Sequence, residues 1–257
     1  MTAVSVKAPL TPKADHTPHL VTLKVFWKST KQWTAADIAD FQKSVPALAE
    51  KIKAEKYWNK DGDIKTSKFT CEDFAIRILA QYASSKSLPV KLKTGVRVYR
   101  NMELYDAAEH GKYSSTMYGF GDMVMLTYGA KDMQNQNTVP IKDVNNLLPG
   151  DILAQTKDNA GAAHHIQIVY SANNYQIDIY QGNSGTGNWA SKIYRILRLN
   201  PADPMDISYT GLPIEIGYYR KAPSGGWDYI NKTVNSKKKD YLKIFEFCRW
   251  NFQEFNR

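Results

Sequence analysis

The spacing of apolar positions changes character along the chain. From Thr34, the residues Ile38, Phe41, Val45, Leu48 and Ile52 recur three or four apart, which predicts a helix. Thr34 and Asp37 read as its capping box, and Pro46, lacking an N–H, is expected to split it into two short helices. A second helix opens in "SKFTCEDFAIRILAQYA" at Thr70 and runs to about Ala83, with Phe74, Ile78 and Tyr82 on one face. Upstream, "HLVTLKVFW" reads as a strand, and residues 1 to 19, with three prolines, read as an extended arm.

Beyond the second helix the periodicity turns to two. "PVKLKTGVRVYR" looks like strand, "GDMVMLTYGA" fits either helix or strand, and the polar run "KDMQNQNTVPIKDVNN" reads as loop. "LLPGDILAQ" gives a Pro-Gly turn feeding a strand, and "HHIQIVY" and "YQIDIYQ" alternate like paired strands around the hairpin chemistry of "SANN". "SKIYRILRL" is a further strand candidate, and Pro201 to Gly226 reads as connecting structure with short strands. In the tail, Tyr241, Phe245, Cys248, Phe252 and Phe255 are spaced alternately four and three apart, which predicts a helix. Helices followed by an antiparallel sheet imply an α+β fold. The expected organisation is an arm and strand over 1–33, a central domain over 34–200, and a C-terminal extension over 201–257 ending in a helix.

Composition narrows the class. A chain of 257 residues that is 43 % hydrophobic and 12 % aromatic can bury a full core. The net charge of +9 favours anionic surfaces such as nucleic acid, acidic lipid or wall polymer without choosing among them. No basic head followed by an apolar run opens the sequence, and no stretch of roughly eighteen apolar residues appears. The expectation is a chain made in the cytoplasm, with no membrane insertion and any export by a route that reads no such signal.

Two cysteines are too few for a disulfide framework and lack the spacing of a zinc site. Cys248 lies on the apolar stripe of the tail and reads as a small buried hydrophobe. Cys71 follows a helix cap, where unpaired amides favour a thiolate, although Glu72 and Asp73 oppose it. On that stretch alone, a half-buried cysteine against Phe74 and Ala75 is the simpler account. A nucleophile there needs an imidazole. His16 and His19 lie in the arm, and His110 precedes a glycine as at a helix end. Only His164 and His165 stand at the mouth of a strand. They point to opposite faces, which disfavours a two-histidine metal site, and the period-two count leans toward burying His164 with Ile166 and Ile168. A three-residue turn would set His165 opposite Gln181 and diagonal to Asn183, either of which could hold the imidazole tautomer, with Asp178 the other orienting candidate.

Cys71 at a helix start, the "LPGD" turn at Leu148 to Asp151, the strand-initial "HHIQIV" and the polar "QGN" on the next strand together resemble the NlpC-type, papain-like cell-wall cysteine peptidases and amidases. The resemblance spans roughly residues 55 to 190 and implies a papain-like fold with N-terminal helices packed on an antiparallel sheet. It aligns His165, rather than His164, with the family's histidine, and Asn183 or Gln181 with the polar third residue. Tyr57 matches a tyrosine the family often carries ahead of its cysteine. The family's "DCSGF" is here "TCEDF", and the insert between cysteine and histidine is long.

The resemblance implies a cysteine hydrolase acting on peptidoglycan stem peptides, with no cofactor and no metal. With no leader visible, it is similar to the antibacterial amidase toxins that bacteria deliver to a target-cell periplasm by type VI secretion, which implies a cognate immunity protein as partner and no nucleic acid. Two other readings stay open. The same cysteine and histidine could modify a cytosolic protein by deamidation, transglutamination or proteolysis. A non-catalytic basic module could bind a polyanion through its lysines.

Overall fold

The computed structural model describes residues 4–8, 19–55, 69–104, 111–125, 127–182 and 214–257. In chain order they form β1 (Val4–Ala8), β2 (His19–Val25), α1 (Ala35–Glu55), α2 (Cys71–Ser85), β3 (Lys91–Lys93), β4 (Val98–Arg100) and β5 (Met102–Leu104). Then come α3 (Met117–Met125), α4 (Ala130–Gln136), β6 (Thr138–Ile141), β7 (Ile152–Gln155), β8 (His165–Ala172) and β9 (Gln176–Gln181). The chain closes with β10 (Glu215–Lys221), β11 (Trp227–Asn231), β12 (Ser236–Lys238), β13 (Phe245–Trp250) and α5 (Phe252–Phe255). The fold is α+β, with an eight-stranded sheet in the order β12-β11-β10-β9-β8-β7-β13-β6, every neighbour antiparallel. A three-stranded sheet, β1-β2-β5, and the β3-β4 hairpin stand apart from it. Among the described residues no helix is long and apolar enough to cross a membrane.

Both faces of the large sheet are covered. On one, Phe41, Val45, Phe74, Ile78 and Leu79 from α1 and α2 pack with Ile152, Ile166, Ile168 and Tyr180 from the strands. On the other, Leu153, Val169, Ile177, Ile179, Tyr219, Tyr229 and Phe245 form a second core, closed by Leu242 from a 3-10 turn. The second core requires a curled sheet. Four ladder steps of about 4.8 Å would hold β10 and β13 roughly 19 Å apart if flat. Yet the rings of Tyr219 and Phe245, one on each of those strands, lie 6.0 Å apart. The strands therefore form a trough, with the helices on its outer face.

Several elements differ from expectation. α1 runs unbroken through Pro46, because the residues beyond it, Ala49 and Ile52, are fully buried on the same stripe as Phe41 and Val45. Its start forms the expected capping box, with Thr34 N–H donated to Asp37 at 3.1 Å and Asp37 N–H to Thr34 Oγ1 at 3.2 Å. The run read as loop contains α4 and β6. "GDMVMLTYGA" falls mostly in and after α3. The arm holds β1, paired along its length with β2. The tail stripe is not a helix: it is a 3-10 turn, then β13, then the one turn of α5. β10 to β13 all come from beyond residue 201 and belong to the large sheet, so this part of the chain completes the central layer rather than extending it. The candidate strand "SKIYRILRL" lies outside the described residues.

Candidate active site

Thr70 caps α2 in an extended conformation, and the Asp73 carboxylate accepts the Thr70 N–H at 3.0 Å. That fixes Cys71 as the first helical residue, as the sequence pattern predicts. Its thiol is buried and donates to the Glu72 carboxylate, Sγ to Oε2 at 2.7 Å. Burial first, and Glu72 second, push the thiol well above its ordinary pKa; the backbone N–H of Ile166 pulls the other way. At this helix start, desolvation and two carboxylates outweigh the dipole, so the resting sulfur is a thiol.

Ile166 N–H can serve the sulfur because of where β9 stops. Val169 donates its N–H to Asp151, on the β7 side, so the even-numbered Ile166 N–H faces β9. Ile168 pairs with Tyr180, and the same register carries Ile166 to Gly182, just past the end of β9. Gly182 makes room for the helix start: a Cβ there would meet the Thr70 carbonyl oxygen at 2.4 Å. The "QGN" glycine is thus a seat for the backbone of Phe69 and Thr70, just ahead of Cys71.

His165 precedes Ile166 on β8, and its side chain joins the trough face with Gln167. Its Nε2 lies 3.0 Å from Gln181 Oε1. Gln181 is the junction of a buried polar network. Gln167 Nε2 donates to the same Oε1 at 2.7 Å, while Gln181 Nε2 donates to Glu215 Oε2 at 3.0 Å and to the Tyr229 hydroxyl at 2.8 Å. Tyr219 donates to Gln167 Oε1 at 2.8 Å, and Asn231 Nδ2 donates to Glu215 Oε2 at 2.6 Å. Gln167, Gln181, Glu215 and Asn231 are all buried, so each bond spares a desolvated polar atom a cost of about 1–3 kcal/mol. Sulfur and imidazole reach the end of β9 from opposite faces of the sheet, and the backbone between Cβ of His165 and N–H of Ile166 separates their anchor points.

The structure brings His165 and Gln181 together on the trough face, whereas Cys71 lies on the helix face near the end of β9 with its thiol turned to Glu72. It does not bring His164 or Asp178 there. His164 is exposed and faces Asp158 at 3.8 Å. It is not buried as the period-two count suggested, because the strand starts only at His165. Asp178 accepts from Ser171 Oγ at 2.6 Å and Gln176 Nε2 at 2.8 Å, far along β9 from Gln181. The register also differs from the three-residue turn: an irregularity between Val169 and Ser171 puts Gln181 diagonal to His165 rather than opposite it. Tyr57, Asn183, His16 and His110 lie outside the described residues, and His19 begins β2. The LPGD turn is structural: Gly150 has φ +90°, a Cβ there would meet Phe41 Cε1 at 2.8 Å, and Asp151 is paired with Arg249 at 2.7 Å. Both cysteines are free, and Cys248 is buried in β13.

Sequence reasoning missed Glu215, Tyr219, Tyr229 and Asn231. Gln167 was within reach, since counting by twos places it on the face of His165. The others sit on β10 and β11, in or beyond a segment whose prolines and glycines read as connection. Among the described residues no three His, Cys, Asp or Glu side chains gather as metal ligands would. No family model, no curated protein and no solved structure matches this chain.

Proposed function

We propose that the chain is a cysteine amidase or endopeptidase with a papain-like arrangement of helix and sheet, acting on peptidoglycan stem peptides. The observation that carries the reading is the convergence at the end of β9. A helix-initial cysteine lies near the backbone N–H of Ile166, which favours its anion, and the residue before Ile166 is a histidine whose Nε2 is held by a buried carboxamide. Burial alone explains a cysteine, and a strand alone explains a histidine. Neither explains a buried network built behind the imidazole.

With Nε2 bound to Gln181, Nδ1 is the nitrogen assigned to proton exchange. The resting sulfur is a thiol hydrogen-bonded to Glu72, so this reading requires the imidazole to come round the end of β9 and take the Sγ proton as sulfur attacks the amide carbon. The C–S bond forms, the C–N bond breaks, and the imidazolium gives its proton to the leaving amine. Water then attacks the thioester with its proton passing to the imidazole, releasing a carboxylate and returning the proton to sulfur. The N–H groups at the start of α2, Cys71's among them, supply oxyanion donors. The positive net charge suits an anionic wall polymer. An antibacterial toxin delivered by type VI secretion, with an immunity protein that blocks it, is the biological setting the resemblance suggests.

The test follows digestion of purified peptidoglycan by mass spectrometry. Cys71→Ala and His165→Ala are expected to lose activity by at least about 10²-fold. Cys71→Ala digesting as fast as wild type would remove the nucleophile. Expression separates this reading from modification of a cytosolic protein: harm to the cell is expected only when the chain is directed to the periplasm.

A further inference from the structure

We propose that Glu215 is a positioning residue that decides which nitrogen of His165 carries the proton, by fixing the rotation of the Gln181 carboxamide. A carboxamide has one accepting end and one donating end of nearly the same shape, so its sense is set by its partners. Here the partners form a chain whose direction begins at backbone donors that cannot flip. Thr233 N–H and Val234 N–H both donate to Asn231 Oδ1, at 2.9 Å and 3.2 Å. Asn231 must therefore turn its Nδ2 toward Glu215, and it donates to Oε2 at 2.6 Å. That carboxylate oxygen is an acceptor, so the end of Gln181 lying 3.0 Å from it is the NH2 group.

The opposite end, Oε1, then faces His165, and a carbonyl oxygen 3.0 Å from Nε2 requires an N–H there. A second chain agrees. Tyr219 donates to Gln167 Oε1, which turns the Gln167 NH2 onto the same Gln181 oxygen. Rotating Gln181 by half a turn would set a carbonyl against the Glu215 carboxylate and an NH2 against the Gln167 NH2. Gln181 is only 2 % exposed, so water cannot relieve either mismatch. The sense of the amide passes from a loop after β11, through Glu215 on β10 and Gln181 on β9, to the imidazole on β8. The consequence for catalysis rests on the hydrolase reading; the tautomer itself does not.

The experiment reads the tautomer directly. In histidine-labelled protein, two-bond nitrogen–proton NMR correlations distinguish Nε2–H from Nδ1–H in a neutral ring, with His165 assigned by its absence from a His165→Gln sample. Wild type is expected to show Nε2–H. In Glu215→Gln the acceptor becomes a group that can also donate, Gln181 loses its fixed sense, and a mixture of tautomers is expected. In wall digestion, kcat is then expected to fall about tenfold or more with KM little changed. Tyr229→Phe, which leaves Glu215 in place, is expected to keep Nε2–H. An Nδ1–H ring in wild type overturns the proposal, whether or not any variant folds. So does a folded Glu215→Gln that remains purely Nε2–H. If the spectra behave as expected and no wall digestion is ever seen, the hydrolase reading fails and the proton relay stands.

Discussion

At Cys71 three effects compete. The free amides of a helix start favour a thiolate, but the sulfur is buried and hydrogen-bonded to Glu72, and burial is the larger influence. Removing the neighbouring charge should favour the anion. Glu72→Gln is expected to lower the pH midpoint for iodoacetamide alkylation of Cys71 by about one unit, worth about tenfold in rate below the midpoint. Peptide mass spectrometry can follow this against Cys248, whose thiol burial pushes up to about 11. An unchanged or raised midpoint would contradict the role given to Glu72. Asp73 carries a related signature, because burial and then Glu72 raise its carboxyl. A raised carboxyl keeps its proton longer in the folded chain than in the unfolded one. Stability therefore falls as pH climbs upward from the ordinary carboxyl range. Asp73→Asn keeps an acceptor for Thr70 N–H and removes the charge. Urea unfolding is expected to show a gain on the order of 1 kcal/mol at about pH 8 and none at about pH 3, with equal stability at both pH values contradicting it.

At the scale of elements, the site depends on where a helix begins against where a strand ends. Gly182 lies against the Thr70 carbonyl, and the obstacle to a side chain there is backbone, which cannot swing aside. Gly182→Ala is expected to destabilise the protein by about 1–3 kcal/mol and to slow wall digestion beyond what the lost stability explains. Full activity in a folded Gly182→Ala would show that the close approach does not place the sulfur. This contact has no signature in the sequence, where the glycine reads as turn punctuation. What could be read was local: the cap at Thr70, the helix after it, and the alternation that puts His165, Gln167 and Val169 on one face. β13 misled for a physical reason. Phe245 and Phe247 face the trough core while Cys248 and Trp250 face the helix side, so the strand is apolar on both faces. Such a strand shows no clean alternation, and its apolar positions can be fitted by a helical stripe.

Across the whole molecule, the C-terminal turn is tied to the segment that leads into α1. Asn256 brackets Trp33, accepting its N–H at 2.7 Å and donating to its carbonyl at 3.0 Å. The Trp33 ring packs on Phe252 at 4.6 Å. β13 lies between β7 and β6, so the most C-terminal strand among the described residues sits inside the sheet. Ending the chain at residue 239 is therefore expected to abolish cooperative unfolding and leave insoluble protein; a soluble product with a normal melting transition would contradict this. Charge and composition favoured an anionic target without naming one, and the partnership of β10 and β11 with β8 and β9 was illegible because such long-range pairing leaves no local pattern. The proposal that Cys71 sulfur is the nucleophile is tested most directly by acid-quenching the protein during incubation with a soluble stem peptide and weighing its tryptic peptides. The account predicts an acyl group on the Cys71 peptide that hydroxylamine removes and that never forms in Cys71→Ala, which cleaves nothing. Cleavage by Cys71→Ala at the wild-type rate, with no mass added to that peptide in the wild type, would contradict it.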